Sequence, residues 1–207
     1  MGLFDFLKKK GQKKETLETK KAPKIDTEPQ LDLWVVLKDD EYGYVWDKVD
    51  KKCRFRAYAN PNRGEFPFKF KEPVDYYDIR GPLVFNSDND ESLNEVFKSV
   101  FVESMGSDNY MYALDWHHTC FRYNPRINTI IEYPVWIDDN SYGGSGYNVY
   151  FPDFYPNGDY YFFIAKDFRW GYLTHPWQMK VWVWGEPLMR LFKEKSRLLG
   201  LVPLGKY

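Results

Sequence analysis

One residue in five carries an aromatic ring: 8 Trp, 17 Tyr and 16 Phe, 20% of the 207 residues. A chain so loaded has far too much apolar surface to stay disordered. Rings also suit the half-buried, pleated surface of a sheet better than the crowded flank of a helix, so a pure helical bundle is disfavoured. A chain of this length can bury roughly 70% of the surface its unfolded form exposes, so it needs no disulfide or metal staple.

Charge narrows the partners. Residues 1–30 hold eight Lys and five acidic residues, a net of +3, against -1 for the whole chain, which leaves -4 for the remainder. The expected organisation is therefore a basic, solvated tail over residues 1–30 and a single domain over 31–207. A body with that balance has no dedicated nucleic-acid surface. Within the tail, Leu3, Phe4, Phe6 and Leu7 precede Lys8, Lys9 and Lys10. That order is the reverse of a secretory leader. It leaves two readings open for residues 2–10: a frayed terminus, or weak contact with an anionic membrane surface. No run reaches the ~18 apolar residues of a membrane span. Cys53 and Cys120 make neither a disulfide framework nor a metal spacing and are expected to be reduced, buried thiols of a cytoplasmic protein.

Hydrophobic periodicity predicts the elements. Leu31–Leu37 reads as extended chain. Tyr42, Val45, Trp46 and Val49 follow helical spacing behind Asp39 and Asp40, with Gly43 as a weak point. Cys53–Tyr58 alternates like a strand, 60–64 reads as a turn, and a short strand is expected near Leu83–Phe85. The longest helix is Asp90–Met105, with Leu93, Val96, Phe97, Val100 and Phe101 on one stripe, acidic residues at its start and Gly106 as its C-terminal stop. Beyond it the period changes to two. Tyr110–Trp116, Phe121–Tyr123, Tyr160–Ala165 and Val181–Trp184 read as strands, Asn157-Gly158 as a hairpin turn, and Leu188, Leu191, Phe192 and Leu199 as a last helix entered at Pro187. The fold class is α+β: an aromatic-rich antiparallel sheet with one long central helix and a C-terminal helix.

Polar residues able to do chemistry are few. His117 and His118 lie in Asp115-Trp116-His117-His118, and His175 lies in Thr174-His175-Pro176-Trp177. On a continuous strand Asp115 and His117 share a face and His118 takes the other, so Asp115 and His118 meet only where the strand ends between them. A carboxylate beside an imidazole suits acid–base work or metal ligation, yet no HExxH or paired-cysteine spacing supports a metal. Asp159 follows the Asn157-Gly158 turn and suits a backbone brace, or a second carboxylate beside Asp115. The Tyr142–Gly146 stretch lacks the Gly-Lys-Ser/Thr of a phosphate loop and reads as a hairpin loop. Trp116, Tyr160, Trp177 and Arg122 are the binding candidates, the rings as a platform for a ligand or a partner protein.

Five stretches carry a resemblance: Leu114-Asp115-Trp116-His117-His118, Cys120-Phe121-Arg122-Tyr123-Asn124-Pro125, Pro156-Asn157-Gly158-Asp159-Tyr160-Tyr161, His175-Pro176-Trp177 and Trp184-Gly185-Glu186-Pro187-Leu188. Together they resemble the bacterial family Domain of Unknown Function 2716, over roughly residues 40–193. The resemblance implies a bacterial cytoplasmic protein and marks Asp115, His118, Asp159, His175 and Trp177. It supplies no reaction. His117 stands where that family has Gln and so is set aside as an essential residue. Thr174 stands where it has Gly, and 132–150 looks inserted.

Two functions follow. With no complete nucleophile, cofactor or metal motif, the sequence favours a non-catalytic interaction module with a protein partner, accessory or toxin-immunity-like, needing no cofactor. The alternative is a hydrolase-type enzyme using Asp115, His118, Asp159 and His175 in one cleft.

Overall fold

The computed structural model describes residues 33–56, 68–81, 90–128, 134–139 and 145–206. The tail over 1–30 with its membrane contact, the 60–64 turn, the Leu83–Phe85 strand and most of the 142–146 glycine loop lie outside the described residues. In chain order the elements are β1 (Trp34–Val36), α1 (Asp39–Cys53), β2 (Val74–Asp78), α2 (Asp90–Met105), β3 (Met111–Asp115), β4 (Phe121–Tyr123), β5 (Val135–Ile137), β6 (Tyr147–Val149), β7 (Tyr161–Ala165), β8 (Gly171–His175), β9 (Lys180–Trp184), α3 (Leu188–Lys195) and β10 (Val202–Lys206).

Eight strands form one sheet in the order β1-β4-β3-β7-β8-β9-β2-β10, and β5 with β6 forms a separate hairpin pair. Every neighbouring pair is antiparallel. The protein is thus α+β, as its ring content and mixed periodicity imply.

Alternation along the strands sorts side chains between the two faces of the sheet. On β7, Tyr161, Phe163 and Ala165 join one buried cluster, while Phe162 and Ile164 join the other. The first cluster is closed by α2 through Leu93, Phe97, Val100, Phe101 and Met105, and by α3 through Leu188, Leu191 and Phe192. The second is closed by α1 through Val45, Val49 and Cys53. Rings fill both: Trp170, Trp184, Tyr160, Tyr172, Phe162 and Phe163 are each under 2% exposed. Burying a Phe contributes about 1.5–3 kcal/mol, so the two ring layers dominate the fold's stability.

Several boundaries differ from expectation. The first helix starts earlier and runs on to Cys53, because Cys53 continues the buried i, i+4 row from Val49 and its Sγ donates to the Val49 carbonyl at 3.2 Å. Cys53 therefore ends a helix rather than opening a strand, and the chain leaves it through Arg54 at φ 44°. The residue before α1 is Lys38, whose side chain makes no cap, while Asp39, Asp40 and Glu41 fill the first turn where the dipole favours them. Asn157-Gly158 does not close a hairpin. The strand before it, β6, pairs with β5, and β7 pairs with β3 and β8. The intervening loop instead sends Phe151, Phe154 and Tyr155 into or against the core under α2.

Strands β2, β8 and β10 escape the periodicity reading. β8 is buried at all five positions, but Gly171, Thr174 and His175 break up its apolar run. Gly171 is demanded there, because a Cβ would sit 2.2 Å from the Trp184 ring. At the last pair of β7 and β8, the Tyr161 N–H donates to the Thr174 hydroxyl at 2.8 Å, so the hydroxyl extends the ladder by one bond.

Candidate functional site

β3 stops at Asp115, and the stop brings the site together. Asp115 Oδ1 accepts the His117 backbone N–H at 3.0 Å, a local Asx-type bond that turns the chain out of the sheet. The turn carries His118 back until its Nδ1 lies 3.0 Å from Asp115 Oδ2. Opposite, Asp159 precedes β7. Its Oδ1 accepts the Tyr160 N–H at 2.7 Å, the local brace expected of it, and its Oδ2 lies 2.7 Å from His117 Nδ1 and 3.7 Å from His118 Nδ1. The Trp116 N–H donates to the Tyr160 carbonyl at 3.2 Å and ties the two strand ends together. Cys120 Sγ lies 3.4 Å from the Asp115 carbonyl and supports the stop from behind.

Both carboxylates therefore have one oxygen held by a backbone amide and the other turned toward imidazoles. The acids are buried, Asp115 4% and Asp159 7% exposed, whereas the His117 and His118 side chains are 52% and 60% exposed. Burial lifts the Asp115 carboxyl above the usual carboxylate range; the His118 hydrogen bond works against this lift, and the Asp159 charge adds to it. The donor atoms of Asp115, His118 and Asp159 all lie within 4.8 Å of one another.

Three of the four expected acid–base residues thus meet, and a fourth joins that sequence reasoning set aside. His117 completes the cluster, since its position in the turn directs it to Asp159 rather than along a strand face. The signal for it was the Asx-turn potential of Asp115 itself.

His175 stands apart. It is the last residue of β8, 2% exposed, boxed by the rings of Phe68, Tyr160, Trp177 and Trp182 with centroids at 6.1, 5.2, 6.0 and 5.7 Å. Its Nδ1 faces the Gln178 backbone N–H at 3.4 Å. Burial, with Lys180 adding, pushes its imidazole down to about 4, which keeps the ring neutral at ordinary pH. It meets the cluster through Tyr160, whose ring also lies 6.0 Å from Trp116. Trp177 is 67% exposed and rests edge-on against Tyr160 at 5.3 Å.

Arg122, the other binding candidate, is committed elsewhere. From β4 it makes two 2.7 Å bonds to Glu41, which fasten α1 to the sheet, and lies over the Tyr110 ring at 5.4 Å. Cys53 and Cys120 are free and buried, and burial pushes both thiols up to about 12, so neither is a nucleophile near neutral pH.

Comparison with known proteins follows the same residues. The family model described as "Protein of unknown function (DUF2716)" matches residues 36–189, a span that includes the whole cluster. The chain is 27% identical over 179 residues to "Uncharacterized protein YxiI" of Bacillus subtilis (strain 168), covering 80% of this chain and 96% of that one. No solved structure matches. Among the described residues no helix is long and apolar enough to cross a membrane.

Proposed function

The chain belongs to the DUF2716 family, proteins of unknown function, and on that premise we propose that it is a hydrolase-type enzyme working through two adjoining aspartate–histidine dyads. What supports this is the convergence of Asp115, Asp159, His117 and His118 at one mouth of the sheet, with the acids buried and the imidazoles half in solvent. An ionised carboxylate only accepts hydrogen bonds. Each Nδ1 facing one must therefore carry the proton, which leaves Nε2 with the lone pair. The two rings lie 6.3 Å apart at 80° to each other. One imidazole can then take a proton at Nε2 from an attacking water and return that proton to the leaving group, while the other accepts a hydrogen bond at its own Nε2 from the water or the substrate. Trp116, against His117 at 3.7 Å, and the exposed Trp177 form the apolar rim on which a substrate would rest.

The test is turnover of a chromogenic carboxylic ester and a phosphodiester by the purified full chain, beside His117→Ala and His118→Ala. Loss of a positioned acid or base lowers the rate by about 10²–10⁴-fold, and each variant is expected to fall in that range. Equal rates for all three proteins, including none above buffer, would remove the hydrolase reading.

A non-catalytic module with a protein partner, cytoplasmic and accessory or immunity-like, has one observation in its favour. The β5–β6 pair holds out Trp136, 52% exposed, and Tyr150 follows it at 54%, with Asp138 accepting the indole N–H at 2.7 Å. Exposed rings with an acidic neighbour suit a protein interface. If Trp136→Ala abolished capture of a defined partner while the dyad variants did not, the module reading would replace the enzyme.

A further inference from the structure

We propose that the same mouth binds one divalent transition-metal ion, with Asp115 Oδ2, Asp159 Oδ2 and His118 Nδ1 as its protein ligands. For its chemistry, though not for its binding, the inference rests on the hydrolase reading.

The donor spacing is that of a coordination shell before its ion arrives. Metal bonds of about 2.0–2.2 Å place neighbouring ligand atoms roughly 3–3.6 Å apart. His118 Nδ1 is already 3.0 Å from Asp115 Oδ2 and 3.7 Å from Asp159 Oδ2, and the whole set lies within 4.8 Å. The side chain of His118 is more than half exposed and lies on the solvent side of the two buried carboxylates. The carboxylates are already aimed. The His117 and Tyr160 backbone amides hold their outer oxygens, the kind of support that fixes ligand orientation in metal sites.

Charge points the same way. Two carboxylates only 6% and 9% exposed at their side chains sit side by side, and the groups facing them are imidazoles more than half in water. Buried like charges cost free energy until a cation neutralises them. Two oxygens and one imidazole nitrogen are a mixed set suited to Zn²⁺ or Mn²⁺ rather than to thiolate-seeking metals. Three protein ligands leave an open position for water, the arrangement of catalytic rather than structural sites.

Binding exchanges the His118 Nδ1 proton for the ion, so His118 gives up its acid–base part and His117 keeps its own. The ion makes its bound water acidic enough to lose a proton near neutrality. That proton passes to His117. The water's oxygen forms the new bond to the substrate centre, the bond to the leaving group breaks, and the leaving group departs with the proton from His117.

The experiment is calorimetric titration of ZnCl₂ and of MnCl₂ into the chelator-stripped, dialysed full chain. The wild type, His118→Gln, Asp159→Asn and His117→Gln are compared, with circular dichroism confirming that each is folded. The expected result is one ion per chain, weakened about 100-fold or more in His118→Gln and Asp159→Asn, and changed far less in His117→Gln, which supplies no ligand. His118→Gln alters a half-exposed side chain, so the fold survives even where Asp159→Asn does not. Absence of binding by either ion at ~100 µM, or equal affinity in the wild type and His118→Gln, overturns the proposal. Turnover that persists unchanged in excess chelator removes the ion but leaves the acid–base dyads standing. One-to-one binding with no turnover of any substrate keeps the ion and removes the hydrolase.

Discussion

The two faces of the large sheet use the same ring-rich alphabet and put it to different ends. Under α2 and α3 the rings interlock and their polar atoms are spent inside. Trp170 Nε1 donates to the Ser104 carbonyl at 3.0 Å, and the Tyr172 hydroxyl donates to the Phe154 carbonyl. Phe163 alone stacks or crosses with Phe101, Phe151, Phe154 and Tyr172. Under α1 the packing is thinner and more polar. Glu41, Arg122 and Tyr112 form a hydrogen-bonded network, and His175 sits buried. That layer runs out through Tyr160 to Trp116, Trp177 and the dyads. One face is finished as a core, while the other is left open at the end where the aspartate–histidine pairs lie.

Phe162 and Phe163 give the sharpest probe of that difference, being adjacent on β7, both wholly buried, and turned to opposite faces. Truncating a buried Phe costs about 3–5 kcal/mol. Phe163→Ala is expected near the top of that range by urea unfolding, and Phe162→Ala, which meets Trp46 and Phe55, nearer the bottom. An equal or larger loss at Phe162 would erase the contrast.

His175 tests the polar character of the thinner face. The folded ring titrates at about 4, whereas an unfolded histidine does so near 6.5. The unfolded chain therefore takes up a proton that the folded one refuses between those values, and stability falls as pH drops from 6.5 toward 4. The expected loss is about 2 kcal/mol, below the full linkage value because solvent screens part of it. His175→Asn, which keeps an acceptor for the Gln178 amide, should flatten this acid limb. An unchanged slope by chemical denaturation at stepped pH would contradict the buried neutral ring.

Trp177→Ala is the smallest effect expected on stability, within about 0.5 kcal/mol, because the indole is mostly in water. The same change should raise the KM of any substrate the dyads turn over while leaving the melting temperature in place. A large fall in melting temperature would make Trp177 a brace of the fold instead.

The fold was legible where patterning is strong. The α2 stripe could be read because that helix has one face to fill, and β3 and β7 because each is a short run of rings and aliphatic side chains, buried throughout. β8 is buried throughout as well, but Gly171, Thr174 and His175 interrupt its apolar run, and β10 has no buried position, so neither could be seen. The site was half legible. Asp115, Asp159 and His118 were marked by residue type, but their meeting depends on a strand stopping at Asp115, and a single sequence fixes element ends poorly. His117 was passed over because the family that the chain resembles has Gln at that position, and the turn that carries its ring to Asp159 is not visible in a strand reading. His175 was included because no periodicity reveals how deep a strand end lies.

The outermost strand carries a consequence for how these molecules meet one another. β10 lies at the rim of the sheet with Val202 and Leu204 in water, yet Pro203 offers no amide and the pairing slips between Pro203 and Gly205. A neighbouring chain seeking to zip onto that border finds a gapped row of donors where fibril growth wants an even one. The rim is thereby guarded against end-to-end accretion even though it displays greasy side chains.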